Sequence, residues 1–121
     1  MYEIRVKTEF SAAHNLKNYK GKCERLHGHN WTVEAVFSYR DLDAGGIAID
    51  FRIAKKLVND VIDRLDHSYL NELKFLKGIN PTSENMARFI YDSVKKNNNN
   101  IVSVSVWEND NSRAVYLGGP Y

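Results

Sequence analysis

The fold of this chain is decided by residues 27–40, whose sequence is HGHNWTVEAVFSYR. Apolar side chains recur at every second position of this stretch, and mostly polar ones lie between them. Since successive residues of an extended strand point to opposite faces, the alternation predicts a strand with one buried face. That face is predicted to carry Trp31, Val33, Ala35, Phe37 and Tyr39.

The regions on either side of this stretch predict three more strands. Alternation from Tyr2 to Val6 predicts a first strand that continues to His14, and a polar loop at residues 15–23 follows it. Near the other end, residues 101–108 alternate between apolar and polar side chains, and residues 113–117 form a last short strand.

Two helices are predicted between the second and third strands. Asp50 caps the first, because its carboxylate can accept hydrogen bonds from free backbone N–H groups, and this helix runs to the dipeptide Asp66-His67. The second begins near Pro81-Thr82-Ser83 and ends before residues 97–100. The predicted buried stripes are Ile53, Leu57, Val58, Val61, Ile62 and Leu65 in the first helix, and Met86, Phe89, Ile90 and Val94 in the second.

The order β-β-α-α-β-β places the chain in the α+β class. It predicts an antiparallel sheet with both helices on one face, built by one domain over residues 1–121. Helices on one face leave the other face and two edges open. We therefore expect a homo-oligomer in which the sheet extends into a larger sheet or a closed barrel.

Composition excludes several classes of function. The net charge is +2, with 17 basic and 15 acidic residues interleaved, so a nucleic-acid partner is not expected. We expect no membrane partner, since no segment has the roughly 20 apolar residues needed to span a bilayer and the start has no apolar signal core. A single cysteine suits a reducing compartment, and we expect a cytoplasmic protein.

Three of the four histidines lie close together in the sequence, near the only cysteine. His27 and His29 are two apart in a predicted strand, so both imidazoles can reach one ion, and Gly28 between them crowds nothing. His14 would be the third ligand. Three neutral imidazoles suit Zn²⁺ and leave a fourth position open for water or substrate, as catalytic zinc requires.

Two alternatives to a catalytic metal site remain open at this stage. Cys23 can be a fourth ligand, which would close the site and make the zinc structural. The histidines can also be unrelated to one another, although His-x-His plus a third histidine is rare in a chain with so few.

Further candidates for chemistry lie outside the histidines. The adjacent carboxylate and imidazole of Asp66 and His67 can orient and activate a thiol or move a proton, or can be only a helix cap or surface turn. Glu108 ends a predicted strand on the face of Val102, Val104 and Val106, and is either a carboxylate at the rim of an apolar pocket or an ordinary strand-end charge. Thr82 is a candidate for binding substrate, yet Thr82, Ser83 and Glu84 can equally form only a helix cap.

Several of these residues lie in motifs that resemble one known family. Residues 23–31, CERLHGHNW, resemble the signature of the 6-pyruvoyltetrahydropterin synthase superfamily. The resemblance covers nearly the whole chain. It continues in the expected order through Ile49-Asp50-Phe51, residues 65–71 (LDHSYLN), residues 81–85 (PTSEN) and Trp107-Glu108.

The resemblance implies a tunnelling fold, with the β-β-α-α-β-β unit assembled through trimeric barrels into a homohexamer and active sites between subunits. It implies Zn²⁺ on His14, His27 and His29, and Cys23 as the catalytic thiol. Asp66 and His67 would be the proton-relay partners of that thiol. Glu108 would anchor the pterin, since a carboxylate can accept hydrogen bonds from the guanidine-like edge of that ring.

The spacing of the signature indicates a subgroup. Three residues separate Cys23 from His27, which resembles the 6-carboxy-5,6,7,8-tetrahydropterin synthases of queuosine-type deazapurine biosynthesis. Such lyases convert 7,8-dihydroneopterin triphosphate into 6-carboxytetrahydropterin, acetaldehyde and triphosphate. The basic residues Lys17, Lys20, Lys22 and Arg25 are candidates to meet the triphosphate.

Other functions stay open at the sequence level. The pyruvoyl-forming synthases usually have a longer spacer than this chain. The dihydroneopterin-cleaving variants would have a Glu in place of the thiol or just before the histidine, where this chain has Leu26. A non-enzymatic, zinc-stabilised binding module is the remaining alternative.

Overall fold

The computed structural model describes residues 1–17 and 25–119, and within these ranges it has five strands in one sheet and two α-helices. The strands are β1 (Tyr2–His14), β2 (His27–Tyr39), β3 (Ser68–Tyr69), β4 (Ile101–Asn109) and β5 (Ser112–Tyr116). The helices are α1 (Phe51–Ile62) and α2 (Ser83–Lys95). The order across the sheet is β3-β1-β2-β4-β5, and the predicted α+β class is confirmed.

The pairing of β1 with β2 sets the position of the histidines. The two strands pair antiparallel without a register shift, from Tyr2 opposite Tyr39 to His14 opposite His27. His29 lies opposite Ala12, two positions further along the same face. Because partners in a ladder point to the same side, the register alone brings His14, His27 and His29 together.

One face of the sheet, here called the covered face, packs against both helices. Trp31, Val33, Ala35 and Phe37 are completely buried there, as the alternation predicted, and Tyr39 is partly buried. The burial of each large apolar side chain contributes about 1.5–3 kcal/mol. The opposite face, here called the open face, is not covered by either helix described.

The helices differ from the prediction at a few positions. Helix α1 ends at Ile62, and Leu65 is buried in the turn that follows, so the helix does not reach Asp66. Ile53 is 58% exposed, because α1 contacts the core one residue further along, through Ala54, Val58, Val61 and Ile62. Helix α2 buries Met86, Ile90 and Val94 as predicted, while Phe89 is partly buried.

Two features of the sheet were not predicted. Strand β3 is two residues long and pairs parallel with β1, which places it beside Ala12 and Ala13. The ladder between β2 and β4 shifts register between Val36 and Phe37. Val102 falls at this irregularity and is only half-buried, so the prediction that it shares a buried face with Val104 and Val106 is wrong.

Neither α1 nor α2, the helices of the described ranges, is long and apolar enough to cross a membrane.

Candidate active site

The three histidines of β1 and β2 form one compact cluster. Their nearest ring nitrogens all lie within 4.8 Å of one another, and the Nε2 atoms of His14 and His27 are 3.0 Å apart. His14 is completely buried, whereas His27 and His29 are partly exposed. The cluster therefore offers three ligand atoms at the end of the sheet, with access from one side.

Hydrogen bonds fix which nitrogens of this cluster are available. Nδ1 of His14 lies 2.7 Å from the carbonyl oxygen of Pro81, and Nδ1 of His27 lies 2.8 Å from that of Arg25. A carbonyl oxygen only accepts, so both Nδ1 atoms donate and, in neutral rings, both Nε2 atoms carry lone pairs. Two lone pairs that face each other at 3.0 Å repel unless a cation lies between them. This arrangement fits a metal ion, for which a carbonyl bound to the other ring nitrogen is the usual support.

Glu108 extends the cluster on the covered face. Its Oε2 atom lies 3.6 Å from Nε2 of His29, and its side chain is 29% exposed. Its Oε1 atom accepts a hydrogen bond of 2.8 Å from the hydroxyl of Ser83, the first residue of α2. A small depression of about 230 Å³ opens beside it, bordered by Ser83, Glu84 and Arg113. Glu108 is thus a partly exposed carboxylate next to the histidines.

Thr82 has a structural task at the start of α2. It is the N-cap residue, and its hydroxyl oxygen accepts a hydrogen bond from the backbone N–H of Asn85. Its neighbour Pro81 supplies the carbonyl that holds His14. Sequence reasoning grouped Ser83 with this cap and missed its contact with Glu108, since no local pattern links residues 25 positions apart.

Two asparagines hold the segment that leaves His14. The side-chain amide of Asn71 both accepts from the backbone N–H of Asn15 and donates to its carbonyl, at 3.0 and 2.8 Å. Asn80 pairs in the same two-fold way with Lys17, at 2.9 and 3.0 Å. Each amide bonds both the N–H and the carbonyl of one residue, as a neighbouring strand would. These contacts hold the backbone of Asn15 and Lys17.

Asp66 and His67 lie at the edge of the sheet beside β1. The backbone N–H of Ser11 donates to Asp66 Oδ1 at 2.8 Å, and Nδ1 of His67 lies 3.0 Å from Asp66 Oδ2. The bond from Ser11 is the main reason that the pKa of Asp66 is lowered, and the charge of His67 lowers it further against partial desolvation. His67 has a backbone φ of 56°, in the left-handed region, and its side chain is 83% exposed.

His67 directly precedes β3 and lies beside β1 at the edge of the sheet. Its backbone N–H donates to the carbonyl of Ser11, and it borders a depression of about 400 Å³ with Ser11, His29 and Asn30. The histidine cluster belongs to the covered face of the same strands. His67 therefore lies at a depression that His29 also borders, with its own side chain 83% exposed.

Some predicted residues lie outside the described ranges. Cys23, Lys20 and Lys22 fall within residues 18–24, so their predicted roles stay predictions. Lys17 and Arg25, which flank this segment, are both exposed.

Comparison with known proteins identifies the family. The family model described as 6-pyruvoyl tetrahydropterin synthase matches residues 3–119. The chain belongs to this family. It is 37% identical to a putative 6-carboxy-5,6,7,8-tetrahydropterin synthase of Archaeoglobus fulgidus, over 92% of this chain and 91% of the relative. It is 34% identical to a dihydroneopterin monophosphate aldolase of Pyrococcus furiosus, over 87% of this chain and 88% of that protein.

A solved structure supports the same assignment. The Caenorhabditis elegans 6-pyruvoyl tetrahydropterin synthase superposes with a TM-score of 0.87 at 27% identity, covering 98% of this chain and 96% of the other. The tunnelling fold predicted from the motifs is thereby confirmed, and this 6-pyruvoyl tetrahydropterin synthase family member is an enzyme.

Proposed function

We propose that this enzyme converts 7,8-dihydroneopterin triphosphate and one water molecule into 6-carboxy-5,6,7,8-tetrahydropterin, acetaldehyde and triphosphate, in the cytoplasm, as a carbon–carbon lyase of queuosine-type deazapurine biosynthesis. The observation that carries the proposal is the cluster of His14, His27 and His29 beside Glu108, in a chain whose signature has three residues between Cys23 and His27. The resemblance to the Archaeoglobus protein named for this product supports it.

His14, His27 and His29 would hold Zn²⁺ through the nitrogens that face one another. Bound there, Zn²⁺ supplies a Lewis acid that stabilises negative charge as it develops on the side-chain oxygens of the substrate. The Pro81 and Arg25 carbonyls keep His14 and His27 in the required tautomer, so the ligands need no rearrangement when the metal binds.

Glu108 would bind the pterin ring. A carboxylate beside the cluster accepts two parallel hydrogen bonds from the 2-amino group and N3–H of a pterin, as it would from an arginine side chain. This contact holds the ring so that its side chain at C6 extends towards the histidines. Thr82 is a candidate for a second contact with the pterin. Its hydroxyl oxygen accepts the capping hydrogen bond from Asn85, so its hydroxyl proton is available to donate.

Proton transfer would be divided between two groups. Cys23 follows the segment that Asn71 and Asn80 hold, and as a thiolate it would take a proton from the substrate side chain. Asp66 lies against His67 Nδ1, which keeps Nε2 of that imidazole available for a proton on the other side of the substrate. Stepwise proton movement along the side chain then allows triphosphate to leave and the carbon–carbon bond to break.

Because the side chain of His67 is 83% exposed at the edge of the sheet, we propose that it serves the histidine cluster of another subunit. The exposed edges of the sheet and the exposure of His67 favour assembly into the homohexamer that the resemblance implies. An active site between subunits would then contain Glu108 and the histidines of one chain and Asp66 and His67 of its neighbour.

Product analysis tests the proposed reaction. The zinc-loaded protein is incubated with 7,8-dihydroneopterin triphosphate, and acetaldehyde and the pterin product are followed by mass spectrometry, with the His27→Ala variant as the inactive control. Acetaldehyde together with 6-carboxytetrahydropterin is the expected result. A pyruvoyl pterin would assign the chain to the biopterin branch instead, which is the second candidate. Cleavage of the pterin side chain without release of triphosphate would favour the aldolase activity named for the Pyrococcus relative.

A further inference from the structure

The two oxygens of the Glu108 carboxylate have different partners. Oε1 accepts the 2.8 Å hydrogen bond from the Ser83 hydroxyl, and Oε2 lies 3.6 Å from Nε2 of His29. The last torsion of a glutamate side chain is broad, so a carboxylate without such contacts rotates over a wide range of angles. The hydrogen bond from Ser83 restricts the plane of this one.

The Ser83 hydroxyl is not needed by the helix that carries it. Thr82 is the N-cap of α2, and its oxygen already accepts from the backbone N–H of Asn85. Ser83 is the first helical residue, and its hydroxyl donates away from the helix to a residue of β4. The contact therefore serves Glu108 rather than the helix start.

We propose that Ser83 is a positioning residue, which orients the Glu108 carboxylate so that both of its oxygens meet the donor edge of a pterin ring. This inference rests on the pterin site of the proposed function. An oxygen of a carboxylate has more than one acceptor site, so Oε1 receives the Ser83 proton and a ligand proton together. Fixing the carboxylate plane favours ligands with two parallel donors over ligands with one.

The effect of Ser83 is measurable without turnover. Pterin presents two donors to a carboxylate, its 2-amino group and N3–H, whereas lumazine has an oxygen in place of the 2-amino group. Loss of one hydrogen bond of this kind weakens binding about three- to tenfold. We expect Ser83→Ala to lose this factor for pterin and to lose much less for lumazine, while kcat changes less than KM.

The experiment is a fluorescence titration of the zinc-loaded protein with pterin and with lumazine. Wild type, Ser83→Ala, Ser83→Thr and Ser93→Ala are compared. Ser83→Thr keeps a hydroxyl and should restore the preference for pterin, and Ser93→Ala removes a hydroxyl from the same helix ten residues away and should bind as wild type does. Ser83→Cys, which keeps the size of the side chain but donates weakly, replaces Ser83→Ala if that variant does not fold.

A double-mutant cycle separates positioning from a general structural effect. In the Glu108→Ala background, Ser83→Ala should cause no further loss of pterin affinity, because the group that it positions is absent. An equal loss for pterin and lumazine, or the same loss with and without Glu108, would overturn the inference.

Failure of this inference is distinguishable from failure of the proposed function. If wild type forms the carboxy product and Ser83→Ala keeps its preference for pterin, only the inference is wrong. If the preference depends on Ser83 but another product forms, only the proposed reaction is wrong. If wild type binds pterin no better than Glu108→Ala does, the pterin site is wrong and both fail together.

Discussion

At the scale of single residues, the proposed site assigns metal binding and proton transfer to different side chains. The facing nitrogens of His14 and His27 would bind the metal, and the thiol of Cys23 would transfer the proton. We predict that Cys23→Ala lowers turnover by at least about 10²-fold, the usual contribution of a proton-transfer group, and leaves zinc bound. His27→Ala is the matched variant, and it should lose both metal and activity. Zinc content by atomic spectroscopy and turnover are measured together. Loss of zinc from Cys23→Ala would instead indicate a closed structural site with the thiol as fourth ligand.

The backbone of His67 gives a second prediction at this scale. Its φ of 56° costs a residue with a Cβ atom about 1 kcal/mol, and glycine adopts the same angle freely. His67→Gly and His67→Ala both remove the imidazole, so both should be inactive. The glycine variant should have the larger free energy of unfolding, by about 1 kcal/mol, in urea denaturation. Equal stabilities would show that the backbone relaxes when the side chain is removed.

Asp66 makes stability depend on pH. Because the Ser11 N–H lowers the pKa of this carboxyl in the folded protein, the folded state favours the ionised form. The resulting stabilisation is complete above the unfolded value of about 3.9 and is lost as the pH falls through the lower folded pKa. Denaturation of wild type and Asp66→Asn should therefore differ at neutral pH and converge in acid. A difference that stays constant with pH would contradict this assignment.

At the scale of elements, the asparagine clamps connect separate segments to the end of β1. Asn80→Ala removes both hydrogen bonds to Lys17, and we expect a loss of about 1–2 kcal/mol in the free energy of unfolding. Asn99→Ala, in the exposed run after α2, is the control and should change stability by less than about 0.5 kcal/mol. If the two variants are equally stable, water replaces the Asn80 contacts without cost.

The same scale shows what the sequence predicted and what it did not. Strands β1 and β2 were predictable because alternation over many residues leaves one choice of buried face. Strand β3 was not, since two residues carry no periodicity and their pairing with β1 is decided by the turn after α1. The exposure of Ile53 and the irregularity at Val102 depend on how a helix and a ladder sit against the core.

The candidate site likewise has parts that the sequence predicts and parts that it does not. The histidine cluster follows from spacing within β2 and from the register with β1, so the sequence contains most of that information. The contacts of Ser83 with Glu108 and of Asn80 with Lys17 join residues far apart in the chain. Such contacts appear only when helix α2 is placed on the sheet.

At the scale of the whole molecule, two separate places on the sheet carry different parts of the proposed site. The histidine cluster lies at the paired ends of β1 and β2, and the exposed His67 lies at the edge of the sheet beside β1. A chain that lacks one part can still contribute the other. We therefore predict that His27→Ala and His67→Ala, each inactive alone, regain part of the wild-type turnover when they are unfolded together and refolded as a mixture, whereas each variant refolded alone stays inactive.

This separation has a consequence for pairs of mutant alleles. Two alleles, one damaged at the histidine cluster and the other at His67, would complement each other in one cell, and two alleles damaged at the same place would not. A substitution at His67 would then be partly recessive in mixed assemblies, because its histidine cluster still serves an intact neighbour. The arrangement of one sheet thus determines which pairs of mutations a cell can tolerate.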